Sequence, residues 1–354
     1  MKKIAIVTLQ PHTNYGGLLQ AYALQTLLER RGNQVEIIVP CEVSRRLPWF
    51  KETPADEVAT IMQHTETFVR RYLHTRQVSW EELTPADYDA YVVGSDQIWR
   101  YKIERIMMER FEAAFLDFTQ GWPVKRIAYA PSFGLDSWEA PEELLPEVER
   151  LLAAFDAVSV RERSGVELCQ RLLHRSDAVQ VLDPTLLLAP TDYEALIARG
   201  ETVENPGDMA CYVLNSDADK TELIRRIAEA KGLTPFYSNS RVEQPSAPLA
   251  ERIQPPVEQW LRSFSEARMV VTDSFHATVF SLLFRRPFIV TGNPGRGIAR
   301  LQSILQALGL ERHLVLTADA FEPNFDYTIP DATYERLRQL QGESARFLDD
   351  ALRF

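Results

Sequence analysis

The sequence predicts an α/β protein with two doubly wound, Rossmann-like domains that face a central cleft. Short apolar runs alternate with amphipathic helical stretches along most of the 354 residues, and this alternation starts again after residue 207. Strands that alternate with helices form parallel sheets with right-handed crossovers. Polar residues gather directly after several apolar runs. Because parallel sheets bind ligands beyond the carboxyl ends of their strands, we expect these residues to line one active site between the domains.

The first half opens with a strand, a polar loop, a helix and a second strand. Residues 4–9 form a short apolar strand. Leucine and alanine recur at helical spacing over residues 18–31, Gly32 ends that helix, and residues 35–39 form the next strand. Residues 41–85 break the rhythm with prolines and a polar helical stretch, so we interpret them as an insertion.

The remaining elements follow the same alternation in both halves. Further strands are predicted at residues 90–93, 127–130, 157–160, 179–182, 210–214, 235–237, 269–272 and 288–290. Helices are predicted at residues 142–155, 220–231, 256–266, 274–284 and 298–308. With a linker at residues 190–207, the predicted domains are residues 1–190 and 208–320. We expect a tail and helix at residues 321–354 to pack back on the N-terminal domain.

Composition limits the classes of partner. The formal net charge of −11 opposes general binding to nucleic acid, because it repels a polyanion. Arginine supplies most of the positive charge, since only seven lysines occur. Arginine binds carboxylates and phosphates in a bidentate manner, although a bias in genomic base composition also explains its excess.

Cysteine usage and the N-terminus indicate a cytoplasmic protein. Cys41, Cys169 and Cys211 are widely spaced and form neither a CxxC pair nor a disulfide framework, which fits a reducing compartment. The apolar stretch after the first lysines is too short for a signal peptide. No apolar run approaches the roughly 20 residues that cross a bilayer, so no transmembrane segment is expected.

Two polar clusters follow strands of the first half. One leads into a helix, where free backbone N–H groups and glycines suit a ligand, and it consists of Asn14, Tyr15, Gly16 and Gly17. The other is able to hydrogen-bond sugar hydroxyls, and it consists of Ser95, Asp96 and Gln97. The alternatives are a simple tight turn for the first cluster and a helix-capping role of Asp96 for the second.

Three further groups carry positive charge or a proton-transferring side chain. Arg161 directly follows a strand and is expected to reach the cleft, although a structural ion pair with Glu162 is the alternative. Asp273, Ser274 and His276 follow the strand at residues 269–272, where either of the first two is able to cap the next helix. His276 suits a role as a hydrogen-bond partner or proton carrier.

A glycine-rich loop follows the last strand of the second half. It carries Arg296 and leads to Arg300 at the start of a helix. Backbone amides and two guanidinium groups together suit a phosphate or carboxylate. The alternative is a surface loop whose arginines are solvated.

Six stretches of the sequence make it resemble the polysaccharide pyruvyl transferase family. They are NYGG at 14–17 with LQAYALQ at 19–25, VGSDQIW at 93–99, SVRE at 159–162, VLDPT at 181–185, DSFH at 273–276 through FS at 280–281, and PF at 287–288. Their joint occurrence in this order is specific and covers nearly the whole chain. One departure is Ala277, where the family often has glycine. The added methyl group narrows the pocket without removing a reacting group.

The resemblance implies a fold similar to that of the B-type glycosyltransferases and a defined reaction. A pyruvyl group passes from phosphoenolpyruvate to two hydroxyls of a sugar or lipid-linked saccharide, forming a cyclic ketal and releasing phosphate. No metal or organic cofactor is implied. The expected catalytic residues are His276 and Arg161. The expected donor-binding residues are Arg161, Asp273, Ser274, His276, Arg296 and Arg300. The expected acceptor-binding residues are Asn14, Tyr15, Gly16, Gly17, Ser95, Asp96 and Gln97.

Several points stay open at the level of sequence. The second proton carrier is not identified, and Asp96 and Asp273 are both candidates. Glycosyl transfer from a nucleotide sugar is an alternative function, because one architecture serves many chemistries. A non-catalytic sugar-binding protein is a third possibility. The acceptor sugar, its carrier and the oligomeric state are not indicated.

Overall fold

The protein divides into two compact units. A computed structural model describes residues 1–40, 47–102, 110–293 and 297–353. Unit 1 comprises Met1–Leu188 together with Leu340–Phe354, and unit 2 comprises Ala189–Gln339. Each unit has its own parallel sheet.

The sheet of unit 1 has its strands in the order β3-β2-β1-β4-β5-β6-β7, and each neighbouring pair is parallel. These strands are β1 Lys3–Val7, β2 Gln34–Val39, β3 Thr75–Gln77, β4 Ala90–Val93, β5 Lys125–Ala128, β6 Ala157–Val160 and β7 Val179–Gln180. The chain moves outward in one direction from β1 and in the other from β4. Right-handed crossovers in opposite directions place helices on both faces, and ligands bind where the direction reverses.

The burial of each strand explains how well it could be predicted from the sequence. All four residues of β4 are buried, as expected for a central strand covered on both faces. The edge strands β3 and β7 are short, and β7 is exposed. A continuous apolar run therefore marks the centre of this sheet. At its edges, β3 was not predicted, and β7 is two residues shorter than the strand predicted at residues 179–182.

In the described residues of unit 1, four α-helices begin, and they are α1 Tyr15–Glu29, α2 Ala55–Tyr72, α3 Leu145–Ala153 and α4 Arg163–Arg171. The Asn14 side chain caps α1 by accepting a hydrogen bond from the Gly17 backbone N–H at 3.2 Å. Gly16 and Gly17 thus lie in the first helical turn, whereas the sequence predicted a loop up to residue 17.

The predicted insertion at residues 41–85 is wrong for the part that the structure describes. Ile61, Met62 and Phe68 give α2 a buried face at helical spacing. After α2 the chain enters β3, which pairs with β2 from Ile37↔Thr75 onward. Strand, helix and parallel strand form a regular crossover, so this segment extends the sheet. Residues 41–46, including Cys41, lie outside the described residues.

The sheet of unit 2 has the order β11-β10-β8-β9, again with parallel neighbours. Its strands are β8 Met209–Tyr212, β9 Pro235–Tyr237, β10 Met269–Thr272 and β11 Phe288–Val290. The α-helices that begin in its described residues are α5 Pro190–Arg199, α6 Ala218–Lys231, α7 Leu249–Arg252, α8 Val257–Glu266, α9 Phe275–Leu283, α10 Ala299–Leu308 and α11 Asp331–Ala351, and α11 continues into unit 1 from Leu340. The chain reverses direction between β8 and β10, which marks the expected ligand edge.

The boundaries of the units differ from those predicted. The segment expected to be a linker contains α5, which contacts α8, and the Tyr193 ring lies 4.9 Å from the Phe280 ring. This packing makes α5 part of unit 2. Beyond Gln339 the chain belongs to unit 1, where Ser344 accepts a hydrogen bond from the Leu182 backbone at 2.9 Å.

The two parallel sheets with their helices confirm the predicted α/β class. In the parts of the chain that the structure describes, no helix is both long and apolar enough to cross a bilayer.

Candidate functional site

Asp96 is the centre of a polar cluster at the carboxyl edge of the unit 1 sheet. It lies three residues after β4, is buried, and has a left-handed backbone with a φ of 67°. Its Oδ2 accepts a hydrogen bond from Asn14 Nδ2 at 3.2 Å, and its Oδ1 accepts one from Arg161 Nη2 at 3.3 Å. Side chains from the loops after β1, β4 and β6 therefore meet at the point where the strand order reverses.

Arg161 joins two carboxylates inside this cluster. Its side chain is only 2% exposed, and Nη1 donates to Asp183 Oδ2 at 2.7 Å. Ser95 Oγ donates to the same Asp183 oxygen at 2.8 Å. Burial disfavours the charged guanidinium, but Asp183 and Asp96 outweigh it and raise the pKa of Arg161. One arginine with two aspartates has a formal charge of −1.

The neighbouring charged residues of the SVRE stretch have other roles. Glu162 Oε1 accepts hydrogen bonds from Ser132 Oγ at 2.9 Å and from the Phe133 backbone at 3.0 Å. Arg163 is exposed and lies 3.5 Å from Glu167. The ion-pair partners of Arg161 are thus Asp183 and Asp96, whereas the sequence suggested Glu162.

The other predicted acceptor-binding residues differ in exposure. Asn14 is exposed, and Gln97 is half-buried and accepts a hydrogen bond from Arg100 Nη1 at 2.9 Å. Ser95 is buried and also donates to the Ala130 carbonyl. Tyr15 is buried in the first turn of α1 together with both glycines. The structure groups Asn14, Ser95 and Asp96 through shared hydrogen-bond partners.

His12 is a residue of this edge that the sequence analysis left unassigned. It lies between β1 and α1, is half-buried, and its Nδ1 is 3.1 Å from Thr13 Oγ1. Burial lowers the pKa of His12 to about 4, and the negative charge of Asp96 acts in the opposite direction. The imidazole is therefore neutral at pH 7.

Asp273 is the centre of the corresponding cluster in unit 2. It directly follows β10 and accepts four hydrogen bonds. Oδ1 accepts from the Leu214 backbone at 2.7 Å. Oδ2 accepts from the Asn215 backbone at 3.2 Å, from Lys220 Nζ at 2.9 Å and from Asn293 Nδ2 at 2.8 Å. This carboxylate therefore ties together the chain segments after β8, β10 and β11.

His276 and Arg300 occupy equivalent places beside this cluster. His276 is the second residue of α9, which follows β10, and Arg300 is the second residue of α10, which follows β11. Both are buried, and β10 and β11 are neighbours in the sheet. Ser274 stands at the N-cap of α9, but within the described residues its side chain makes no capping bond. Arg296 lies outside the described residues.

Sequence reasoning missed the partners that hold these clusters. Asp183 belongs to a recognised stretch, VLDPT, but was given no role. Lys220 is only 7% exposed, yet a lysine on a polar helix normally indicates a solvated face. For Asn215 and Asn293, the sequence offered one indication of a place at the sheet edge, because each follows an apolar run, as the predicted site residues do.

Comparison with protein families decides the affiliation of the chain. The model of the family described as polysaccharide pyruvyl transferase matches residues 14–294, about four fifths of the chain. The chain belongs to this family. The region that the polysaccharide pyruvyl transferase model matches includes Asn14, Asp96, Arg161 and His276, whereas His12 and Arg300 lie just outside it. A comparison with curated proteins gave no match.

Solved structures with similar coordinates include several enzymes. UGT89C1 from Arabidopsis thaliana, in complex with UDP, has 10% identity and a TM-score of 0.49, covering 98% of this chain and 100% of that one. MurG from Acinetobacter baumannii has 9% identity and a TM-score of 0.48, covering 99% and 100%. An O-GlcNAc transferase mutant from Thermobaculum terrenum has 13% identity and a TM-score of 0.47, covering 99% and 66%. None of these scores reaches 0.5, so the fold class rests on the topology of the two sheets.

Proposed function

We propose that this polysaccharide pyruvyl transferase moves a pyruvyl group from phosphoenolpyruvate to two hydroxyls of a sugar. The product is a cyclic ketal, the other product is phosphate, and the reaction serves the synthesis of a cell-surface polysaccharide in the cytoplasm. The observation that carries the proposal is the family match over residues 14–294. The proposed reaction uses neither a metal nor an organic cofactor.

The charge distribution of unit 2 supports a role in donor binding. Phosphoenolpyruvate carries a carboxylate and a phosphate, which require cationic and hydrogen-bonding partners. Lys220 and Asp273 pair with each other, and Arg300 adds a buried guanidinium in the first turn of α10. We propose that Arg300, Ser274 and His276 contact the donor, and that Arg296 joins them. Asp273 has four hydrogen-bond donors already, which favours a supporting role for it.

The cluster of unit 1 suits a neutral acceptor. Its formal charge of −1 repels an anion, whereas carboxylate and amide oxygens accept hydrogen bonds from sugar hydroxyls. We propose that Asn14, Asp96 and Gln97 contact the acceptor, with Ser95 and the first turn of α1 supporting them. The sequence assigned Arg161 to the donor. Its two carboxylate partners favour a positioning role instead, and direct donor contact by Arg161 stays a prediction.

The proposed chemistry starts with a proton transfer to the donor. His276 donates a proton to the methylene carbon of phosphoenolpyruvate, whose double-bond electrons form the new C–H bond. The oxygen of one sugar hydroxyl then attacks the adjacent carbon. The C–O bond to phosphate breaks, and phosphate leaves with the electron pair. A second hydroxyl closes the ring. The two hydroxyl protons are released, one returning to His276 and the other leaving with phosphate.

An acceptor screen tests the function directly. Purified protein is incubated with phosphoenolpyruvate and a panel of p-nitrophenyl glycosides, and phosphate release and product mass are measured. Pyruvyl transfer adds the mass of one ketal-linked pyruvate to the glycoside and releases one phosphate. Parallel reactions with UDP-sugars test glycosyl transfer, which releases a nucleotide instead. Nucleotide release without phosphate release would refute the proposal, and binding of glycosides without either product would indicate a sugar-binding protein.

Replacement of His276 tests the assignment of the proton donor. His276→Asn keeps a polar side chain but cannot transfer a proton near neutral pH. General acid–base catalysis contributes about 10²–10⁴-fold, so kcat should fall by that factor. His174→Asn is a suitable control, because His174 is exposed, pairs with Glu149, and has a φ of 47° that asparagine accepts. Unchanged kcat with weaker phosphoenolpyruvate binding would make His276 an anion ligand.

A further inference from the structure

The six histidines occupy distinct environments, and two of them lie at a ligand edge. His74 and His174 are exposed and pair with glutamates, and His64 is on α2. His313 is buried, with Nδ1 2.9 Å from the Phe288 carbonyl at the start of β11. His276 follows β10. His12 remains, and it lies beyond the carboxyl end of β1.

The position of His12 brings it to the polar cluster of unit 1. Strand β1 is the neighbour of β4, and the chain reverses direction between them. Two residues after His12, the Asn14 side chain hydrogen-bonds the Asp96 carboxylate. Asp96 in turn is close enough to influence the titration of His12. The imidazole thus belongs to the same group of side chains that the proposed function assigns to the acceptor.

The two carboxylates that the sequence offered as second proton carriers are both engaged. Asp96 holds Arg161 with one oxygen and Asn14 with the other. Asp273 accepts four hydrogen bonds, including one from Lys220. Both carboxylates already act as hydrogen-bond acceptors that hold side chains of neighbouring segments in place. The structure therefore favours a different group for this step.

The hydrogen bonding of His12 leaves one ring nitrogen for a substrate. Nδ1 is within hydrogen-bond distance of Thr13 Oγ1, and no partner for Nε2 is found among the described residues. In the tautomer whose Nδ1–H donates to Thr13, Nε2 carries a lone pair. Because burial keeps this imidazole neutral, it is ready to accept a proton at physiological pH. The low pKa also makes it a weak base, but a hydroxyl attacking a cationic carbon becomes strongly acidic.

We propose that His12 is the second proton carrier of the pyruvyl transfer proposed above. Its Nε2 accepts the proton of the sugar hydroxyl that closes the ketal ring. The hydroxyl oxygen uses a lone pair to form the C–O bond, while the O–H electrons stay on oxygen and the proton moves to Nε2. His12 then releases this proton to the departing phosphate. His276 supplies and recovers the other proton, so the protons balance over the cycle.

Chemical rescue tests this role. The wild type, His12→Ala, His12→Asn and the exposed control His74→Asn are assayed with phosphoenolpyruvate and the p-nitrophenyl glycoside panel. His12→Ala should lower kcat by about 10²–10⁴-fold. Added imidazole should restore part of the rate, in proportion to the neutral fraction of imidazole as pH is varied. Phosphoenolpyruvate binding, measured by calorimetry, should not change. His74→Asn should resemble the wild type.

Each other result has a defined meaning. Near-normal kcat in His12→Asn would overturn the proposal, since asparagine keeps a hydrogen bond but cannot transfer a proton. A loss in His12→Ala that imidazole does not restore would also overturn it in favour of acceptor positioning. If the wild type transfers nothing from phosphoenolpyruvate, the proposed function fails and this inference falls with it. If the wild type is active and kcat falls only in the His12 variants, the proposed function stands and only the role of His12 is being tested. Urea unfolding of each variant identifies a loss of kcat that is caused by misfolding.

Discussion

The polar edges of the two sheets each contain a buried ion pair, but the two clusters differ in formal charge. In both units an aspartate just beyond a central strand holds a buried cation where the strand order reverses. In unit 1 the cation is Arg161, shared by Asp96 and Asp183. In unit 2 it is Lys220, which meets one carboxylate, Asp273. The first cluster has a formal charge of −1, whereas the second is neutral.

This difference supports the proposal that the edge of unit 1 binds the hydroxyls of the acceptor and the edge of unit 2 binds the anionic donor. A cluster of two carboxylates and one guanidinium offers hydrogen-bond acceptors and is less favourable for phosphate. The guanidinium of Arg161 also spans two carboxylates with its planar fork, which the single ammonium of Lys220 does not do. Arg161 and Lys220 should therefore respond differently to the same substitution.

The largest effect is expected for Arg161→Met. The substitution leaves Asp96 and Asp183 buried without their cation. Breaking a buried ion pair by removing one partner costs about 3–5 kcal/mol, so the free energy of unfolding should fall by that amount. Urea denaturation measures it. Arg163→Met is the matched control, because Arg163 is exposed and only two residues away. A loss below about 1 kcal/mol would show that the cluster tolerates an absent cation.

A smaller effect is expected for Lys220→Met. Asp273 keeps three N–H donors from Leu214, Asn215 and Asn293, so its charge stays solvated by the protein. The substitution removes the hydrogen bonds from Nζ to the Asp273 carboxylate and to the Asn215 carbonyl. Loss of the hydrogen bond to the charged group costs about 1.5–3 kcal/mol. The urea experiment on Arg225→Met, an exposed arginine of the same helix, supplies the control. A loss as large as that of Arg161→Met would remove the distinction between the two edges.

The ion-pair partners Asp183 and Lys220 are features of the site that could not be predicted from the sequence. Strands β4, β10 and β11 were predicted with their correct bounds, because every residue in them is buried and nearly all are apolar. Strand β3 was missed because its short polar segment lies at the sheet edge. Because Asp96, Arg161 and Asp273 each follow a predicted strand, they were predicted to lie at the edge of a sheet. Which of these side chains form ion pairs depends on the order of the strands in the sheet. Arg161 reaches Asp183 because β6 is beside β7, which a single sequence does not specify.

A third prediction concerns acceptor recognition by Asp96. Asp96→Asn removes the charge while keeping a side chain that tolerates the left-handed backbone at φ 67°, whereas alanine there adds strain. The KM for the glycoside should rise about tenfold, equivalent to about 1.4 kcal/mol, because one charged acceptor is lost. Phosphoenolpyruvate binding should change less. Equal weakening of donor and acceptor binding would contradict the assignment of this edge to the acceptor.

The last expected effect is a pH dependence of stability that originates at the unit 1 edge. The pKa of His12 is lowered to about 4 in the folded protein, below the usual 6.5. As pH falls from about 6.5 to about 4, the unfolded chain takes up a proton that the folded state does not, so stability falls. Burial lowers the pKa of His313 as well, so that residue contributes in the same direction from unit 2.

The two contributions are separated by comparing the wild type with His12→Gln in urea at several pH values. The slope of unfolding free energy against pH should be shallower in the variant by up to one proton, which is about 1.4 kcal/mol per pH unit. Equal slopes in the wild type and the variant would mean that His12 is solvated in the folded protein and titrates normally. The lowered pKa of His12 would then no longer support its role at the edge of unit 1.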